Sequence, residues 1–222
     1  MMVWKNEEYF SLDGCPCPEA FAQVQYPWEL LARIPDLICA IVQENPGRFR
    51  QISQGVWVGA RTKVADTARF FGPAIFGDDC EIRPNAFVRE NVLAGDGVVL
   101  GNASEVKQAI LFSQVQLPHF NYVGDSVLGK GAHLGAGAII SNFKSTQEPV
   151  KVHLDGEVLE TGLRKFGAIL GDWVEVGCNA VLNPGTLVGM GSMVYPLTSV
   201  RGSIAAGMIC KGPGVVVPYI KN

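Results

Sequence analysis

Histidine is scarce in this chain, charge of neither sign dominates, and no long apolar run interrupts it. Each shortage removes a class of function. The 222 residues hold 18 Lys and Arg against 21 Asp and Glu, and a formal charge of −3 gives no drive for bulk binding to nucleic acid or to an anionic membrane. The most apolar early run, LLARIPDLICAIV, carries Arg33, Pro35 and Asp36 and is too short to span a bilayer. No positively charged leader precedes an apolar segment, so a cytoplasmic protein without a signal peptide is expected. The six cysteines are scattered and read as reduced, small apolar packers. Cys15 and Cys17 form a close pair, but no second pair completes a four-ligand zinc site. The three histidines are His119, His133 and His153, the nearest two fourteen residues apart, and no metal site is expected of them.

What the chain does have is a period. From Val58, every sixth residue is apolar: Val64, Phe70, Phe76, Ile82, Val88, Ala94, Leu100 and Val106. The rhythm returns at Leu128 and Leu134 and runs again from Leu170 through Val176, Leu182, Val188, Val194 and Val200. Glycine often follows the anchor, and a small residue often stands four places after it (Thr62, Ala68, Ala74, Cys80, Ala86, Ser104). A helix needs apolar steps of three and four, and a plain strand needs steps of two. A sustained step of six fits a parallel β-helix, in which each hexad supplies a short strand and a turn and three hexads close a triangular coil. The fold class expected is all-β.

Three segments leave the rhythm. Residues 1–50 contain a helix candidate, PWELLARIPDLICAIVQEN (27–45), interrupted at Pro35 and expected to cap the open end of the solenoid. The β-helix is placed at 51–210, with an excursion at 143–167 that is basic near both ends and turns at LDGE. Residues 211–222 read as a tail. GDGVVLG (95–101) looks like a phosphate loop but lies inside the hexad register, where its glycines serve corners.

His119 interrupts LPHFNYVGDSVLGKGAHLGAGAIISN (117–142). An inward anchor is aliphatic, so this imidazole is expected at a bulge or outward turn, as an idle surface group, a ligand or a general base. Around it, EVKQAIL (105–111), PHFNYVGDSVLG (118–129), HLGAGAIISN (133–142) and RKFGAILGDWVEVGCNAVLNPGT (164–186) occur in this order. Over roughly residues 58–205 the chain resembles the acetyltransferase domain of bifunctional sugar-1-phosphate nucleotidyltransferase/N-acetyltransferases, in its archaeal-like form. Nothing in 1–57 resembles that family's pyrophosphorylase domain, which is expected to be lacking.

The resemblance implies a left-handed parallel β-helix of hexapeptide repeats with a short helical N-terminal cap. It implies acetyl transfer from acetyl-CoA to the amine of glucosamine 1-phosphate or galactosamine 1-phosphate, a step toward UDP-N-acetylglucosamine, with no metal required. It also implies a homotrimer with sites between protomers. His119 falls on the family's catalytic histidine, and a base of pKa about 6–7 suits removal of an amine proton near neutrality. Ala136, Gly137 and Cys178 match positions that contact the thioester and pantetheine, where backbone N–H groups steady a developing oxyanion. Lys107 matches a phosphate-binding lysine, and a partner arginine aligns with Arg89 by spacing or with Arg83 by the local text RPNA. Tyr122, Asn142, Lys151 and Lys165 match further substrate contacts. The chain departs from the family at His133, Phe143, Glu148 and Cys178. Two other readings share this scaffold: a transferase for another acceptor, and a non-enzymatic solenoid that binds a sugar nucleotide or a nucleotidyltransferase.

Overall fold

A computed structural model describes residues 6–154 and 156–220. The hexads form short parallel strands on three faces, stacked coil on coil into a left-handed parallel β-helix. On the first face Val58 lies opposite Phe76 and Phe76 opposite Ala94, a step of eighteen residues per coil. The same step sets Val64 against Ile82 on the second face and Phe70 against Val88 on the third. The anchors point inward and form one continuous core from Val56 to Cys210.

The apparent break between Val106 and Leu128 is not a break. Leu111, Leu117 and Val123 continue the ladder inside the core, but two steps shorten from six residues to five, Val106 to Leu111 and Val123 to Leu128. Each short step removes a corner. Strands Glu105–Leu111 and Tyr122–Leu128 therefore run unbroken from the third face onto the first, with Gln108 and Asp125 taking φ of 47° and 51° at the bends.

The helical segment does not lie over the open end. It packs along the flank, because the outward residues of the first face are themselves apolar: Ile75, Leu93, Ile110, Val127, Ile169 and Leu187. A 3₁₀ helix, Pro27–Arg33, runs into an α-helix, Ile34–Glu44, with Pro35 in its first turn, where a missing N–H costs nothing. Phe10 and Phe21 close on Phe112 at 5.0 and 5.6 Å, and Trp28 meets Phe166 of the excursion at 5.5 Å. At each end one face is extended by an antiparallel strand, Arg50–Ser53 on Val56–Val58 and Val215–Pro218 on Met208–Gly212. The expected tail is thus part of the sheet.

Asp172 fastens the N-terminal segment to the coils. It is buried, its Oδ2 accepts from Ser11 N–H and Oγ–H at 2.9 and 2.8 Å, and its Oδ1 accepts from Lys130 N–H at 2.8 Å. Asp172→Ala strands all three donors, and we expect a loss of about 2–3 kcal/mol in a urea titration, with faster proteolysis ahead of residue 27.

Candidate active site

Two edges of the prism bound the third face, and most of the residues singled out above divide between them. Along the edge where the second face turns into the third stand Asn102, His119, Ala136 and Cys178, each on the next coil. Adjacent coils lie about 4.8 Å apart. His119 ends strand Gln116–His119 and is exposed, so the outward orientation expected of it holds. Its carbonyl accepts Gly137 N–H at 3.1 Å, a turn at which Gly137 has φ of 72°.

Asn121 holds the turn that presents His119. It stands in the column of small corner residues, Ala86, Ser104 and Ala138, yet carries an amide and is 2% exposed. Its Oδ1 accepts His119 N–H at 3.1 Å, and its Nδ2 donates to Gly135 O at 2.9 Å and Ala138 O at 3.2 Å on the next coil. The backbone N–H groups of Gly135 and Gly137 are engaged by the neighbouring coils, at Val176 O and His119 O, whereas those of Ala136 and Cys178 have no acceptor among the described residues. This edge therefore carries an imidazole followed by two free N–H donors.

The opposite edge is ionic. Lys107 Nζ lies 3.4 Å from Asp125 Oδ2, with side chains 11% and 10% exposed. Asn142 Nδ2 donates to the same Asp125 oxygen, and Tyr122 Oη donates to Asn142 Oδ1 at 3.4 Å. Arg89 occupies the position of Lys107 one coil earlier and bonds Glu105 Oε1 through Nη1 at 3.0 Å. Burial first, then the negative charge of Glu105 and Asp125, pushes the Tyr122 phenol above its usual range. Tyr122 is thus a hydrogen-bonding group rather than a base at neutral pH.

Of the two arginines weighed for this cluster, Arg89 joins it. Arg83 lies at the end of the second face and pairs with Glu81 at 3.2 Å. Lys165 is exposed, but its backbone bridges Phe143 and brings it beside Asn142. Lys151 lies on hairpin Lys151–Leu154/Glu157–Glu160, which packs on the first face, and pairs with Glu160 at 2.7 Å. His133 faces outward on the second face, its Nδ1 2.7 Å from Glu175 Oε2. Cys15 and Cys17 are free thiols within the N-terminal segment, and burial pushes the Cys15 thiol up.

Asp125 and Asn121 escaped the sequence reading although both stand in the quoted motif. Asn121 had left a signal, an amide where the period calls for a small residue. Asp125 had left none, because its burial follows from a shortened corner that the six-residue count does not reveal.

The model of one protein family, described as the GMPPB C-terminal domain, matches residues 70–209. The chain belongs to that family. It is 33% identical over 166 residues to the bifunctional sugar-1-phosphate nucleotidylyltransferase/acetyltransferase of Sulfurisphaera tokodaii, covering 67% of this chain and 41% of the relative. It is 28% identical over 190 residues to the bifunctional protein GlmU of Methanococcus maripaludis, covering 84% and 46%. The chain thus spans less than half the length of these curated relatives. Among solved structures, a variant of the N-acyltransferase AntD from Bacillus cereus aligns with a TM-score of 0.45 at 16% identity, over 80% of this chain and 93% of that one.

Proposed function

We propose that the protein is an acetyl-CoA-dependent N-acetyltransferase whose acceptor is an amino sugar 1-phosphate, glucosamine 1-phosphate or galactosamine 1-phosphate. The observation that carries this reading is the edge on which an exposed imidazole is followed, coil by coil, by the free N–H groups of Ala136 and Cys178. Such a row suits an extended thioester laid along the edge, with donors for its amides and for the oxygen that gains charge. His119 takes the proton from the attacking nitrogen as the C–N bond forms, and the thiol of CoA leaves. Lys107 and Arg89 serve the acceptor's phosphate. Each is held by a carboxylate and keeps further donors, since an ammonium has three and a guanidinium five. Similarity to a relative named as a bifunctional sugar-1-phosphate nucleotidylyltransferase/acetyltransferase supports the acceptor class. A closed three-fold trimer is the assembly we expect of such flat-sided prisms. Among the described residues no helix is long and apolar enough to cross a membrane, and we place the protein in the cytoplasm.

The test is thiol release from acetyl-CoA with glucosamine 1-phosphate, galactosamine 1-phosphate, the free hexosamines and unrelated amines. Turnover with a sugar phosphate that exceeds the others supports the reading. Release that ignores the amine, or none with any hexosamine, overturns it. A second expectation concerns Asn121. Asn121→Ala frees the His119 turn without touching either substrate, so kcat should fall roughly 10–10²-fold while the KM for acetyl-CoA stays near the wild-type value.

A further inference from the structure

On the second face, away from the Lys107 cluster, a groove of about 380 Å³ is lined by Gln114, Gln116, Gly131, His133, Trp173 and Glu175, with Gly97 at its edge. Trp173 stands at the turn between the first and second faces. On neighbouring coils that turn is held by Gly97, Gly131, Gly191 and Gly207, all with positive φ, and Trp173 takes φ of 58° in the same place. Bulky side chains avoid this conformation. The other non-glycines in the column are Arg61 and Asp79, bound to each other, and Gln114, which lines this groove. The indole is nonetheless 54% exposed, so its burial does not explain its place. A Cβ on Gly131 would sit 2.3 Å from Trp173 Cε3 and Cζ3, so the benzene ring of the indole lies on the backbone of the coil above. One face of the ring is thereby fixed and the other faces solvent.

The groove's polar groups are unspent. The contact between His133 Nδ1 and Glu175 Oε2 at 2.7 Å fixes both side chains, while Glu175 Oε1, His133 Nε2, the indole Nε1–H of Trp173 and the side-chain amides of Gln114 and Gln116 have no partner among the described residues. No Lys or Arg lines the groove, and its one carboxylate repels anions. Phosphate-bearing ligands are thus disfavoured. What fits is a neutral ring with an apolar face for the indole and hydroxyl groups that both donate and accept, matched by amides and a carboxylate. The volume is near the lower end for small-ligand sites, about 300–1,000 Å³.

We propose that this groove binds the neutral pyranose ring of a sugar, with Trp173 as its platform and Glu175 as its principal acceptor. The site is separate from the proposed phosphate cluster and does not depend on the transferase reading. Saturation-transfer NMR with methyl α-glucoside and methyl α-galactoside tests it on wild type, Trp173→Gly and Glu175→Gln. Glycine keeps the turn, as it does on the neighbouring coils, so Trp173→Gly should fold and sediment like wild type. Transfer to at least one glycoside in wild type, weakened tenfold or more in both variants at an unchanged unfolding midpoint, is the expected result. No transfer in wild type, or transfer that survives Trp173→Gly, overturns the proposal. A change in sedimentation on Trp173→Gly also overturns it, because the indole is then a contact between subunits.

Discussion

Replacing His119 by alanine is expected to lower acetyl transfer roughly 10²–10⁴-fold, the range that a positioned general base contributes. Stability should move by no more than about 0.5 kcal/mol, because the imidazole is exposed and packs into no core. The backbone contacts of the turn, His119 N–H to Asn121 Oδ1 and Gly137 N–H to His119 O, do not involve the side chain and persist in the variant. Thiol release and urea unfolding on the same preparation separate the two quantities. Equal rates in wild type and variant would remove His119 from the chemistry. A large fall in stability would instead place the ring in the packing. Rates that recover in the variant with added imidazole would show that the missing group is the base.

Asp125→Ala should cost about 3–5 kcal/mol, the range for removing one partner of a buried ion pair. Lys107 would keep its charge with only 11% of its side chain exposed, and Asn142 would lose the oxygen that receives its Nδ2–H. Alanine is also less tolerant than aspartate of the left-handed conformation at this bend, where φ is 51°. Asp125→Asn keeps shape and backbone tolerance but removes the charge, so its cost should be smaller. Adding Lys107→Met to Asp125→Ala should recover most of the loss, since a pair removed from both sides leaves no stranded charge. Urea midpoints for the three variants settle the matter. A single-variant cost below about 1 kcal/mol would mean that water already serves the pair.

The coil was legible because its signal is repeated and one-dimensional. A six-residue apolar step identifies the inward column without knowledge of any contact, and all the anchors from Val58 to Val200 lie in or against the core. The flank was illegible for the opposite reason. Ile75, Leu93 and Ile110 are each the residue beside an anchor, so their exposure or cover depends on a segment distant in sequence, and the period alone places the helix over the open end rather than along the flank. Site residues divided along the same line. His119, Ala136 and Cys178 share one edge because a regular register carries spacing directly into space. Asp125 and Glu175 gained their meaning from Lys107 and His133, eighteen or more residues away, and pairwise partners at such distances leave no mark on a period. The two arginines show the intermediate case: spacing by eighteen gave Arg89 its place beside Lys107, whereas local text alone pointed to a different edge.

The reversed strands at the two extremities have a consequence for how the molecule behaves in concentrated solution. A parallel coil is its own template: its final rung offers the hydrogen-bonding pattern that the first rung of another molecule could continue, and nothing in such geometry sets a limit to fibril growth. Here Arg50–Ser53 and Val215–Pro218 run against the direction of the coils, so on one face at each extremity the rung on offer no longer continues the parallel pattern.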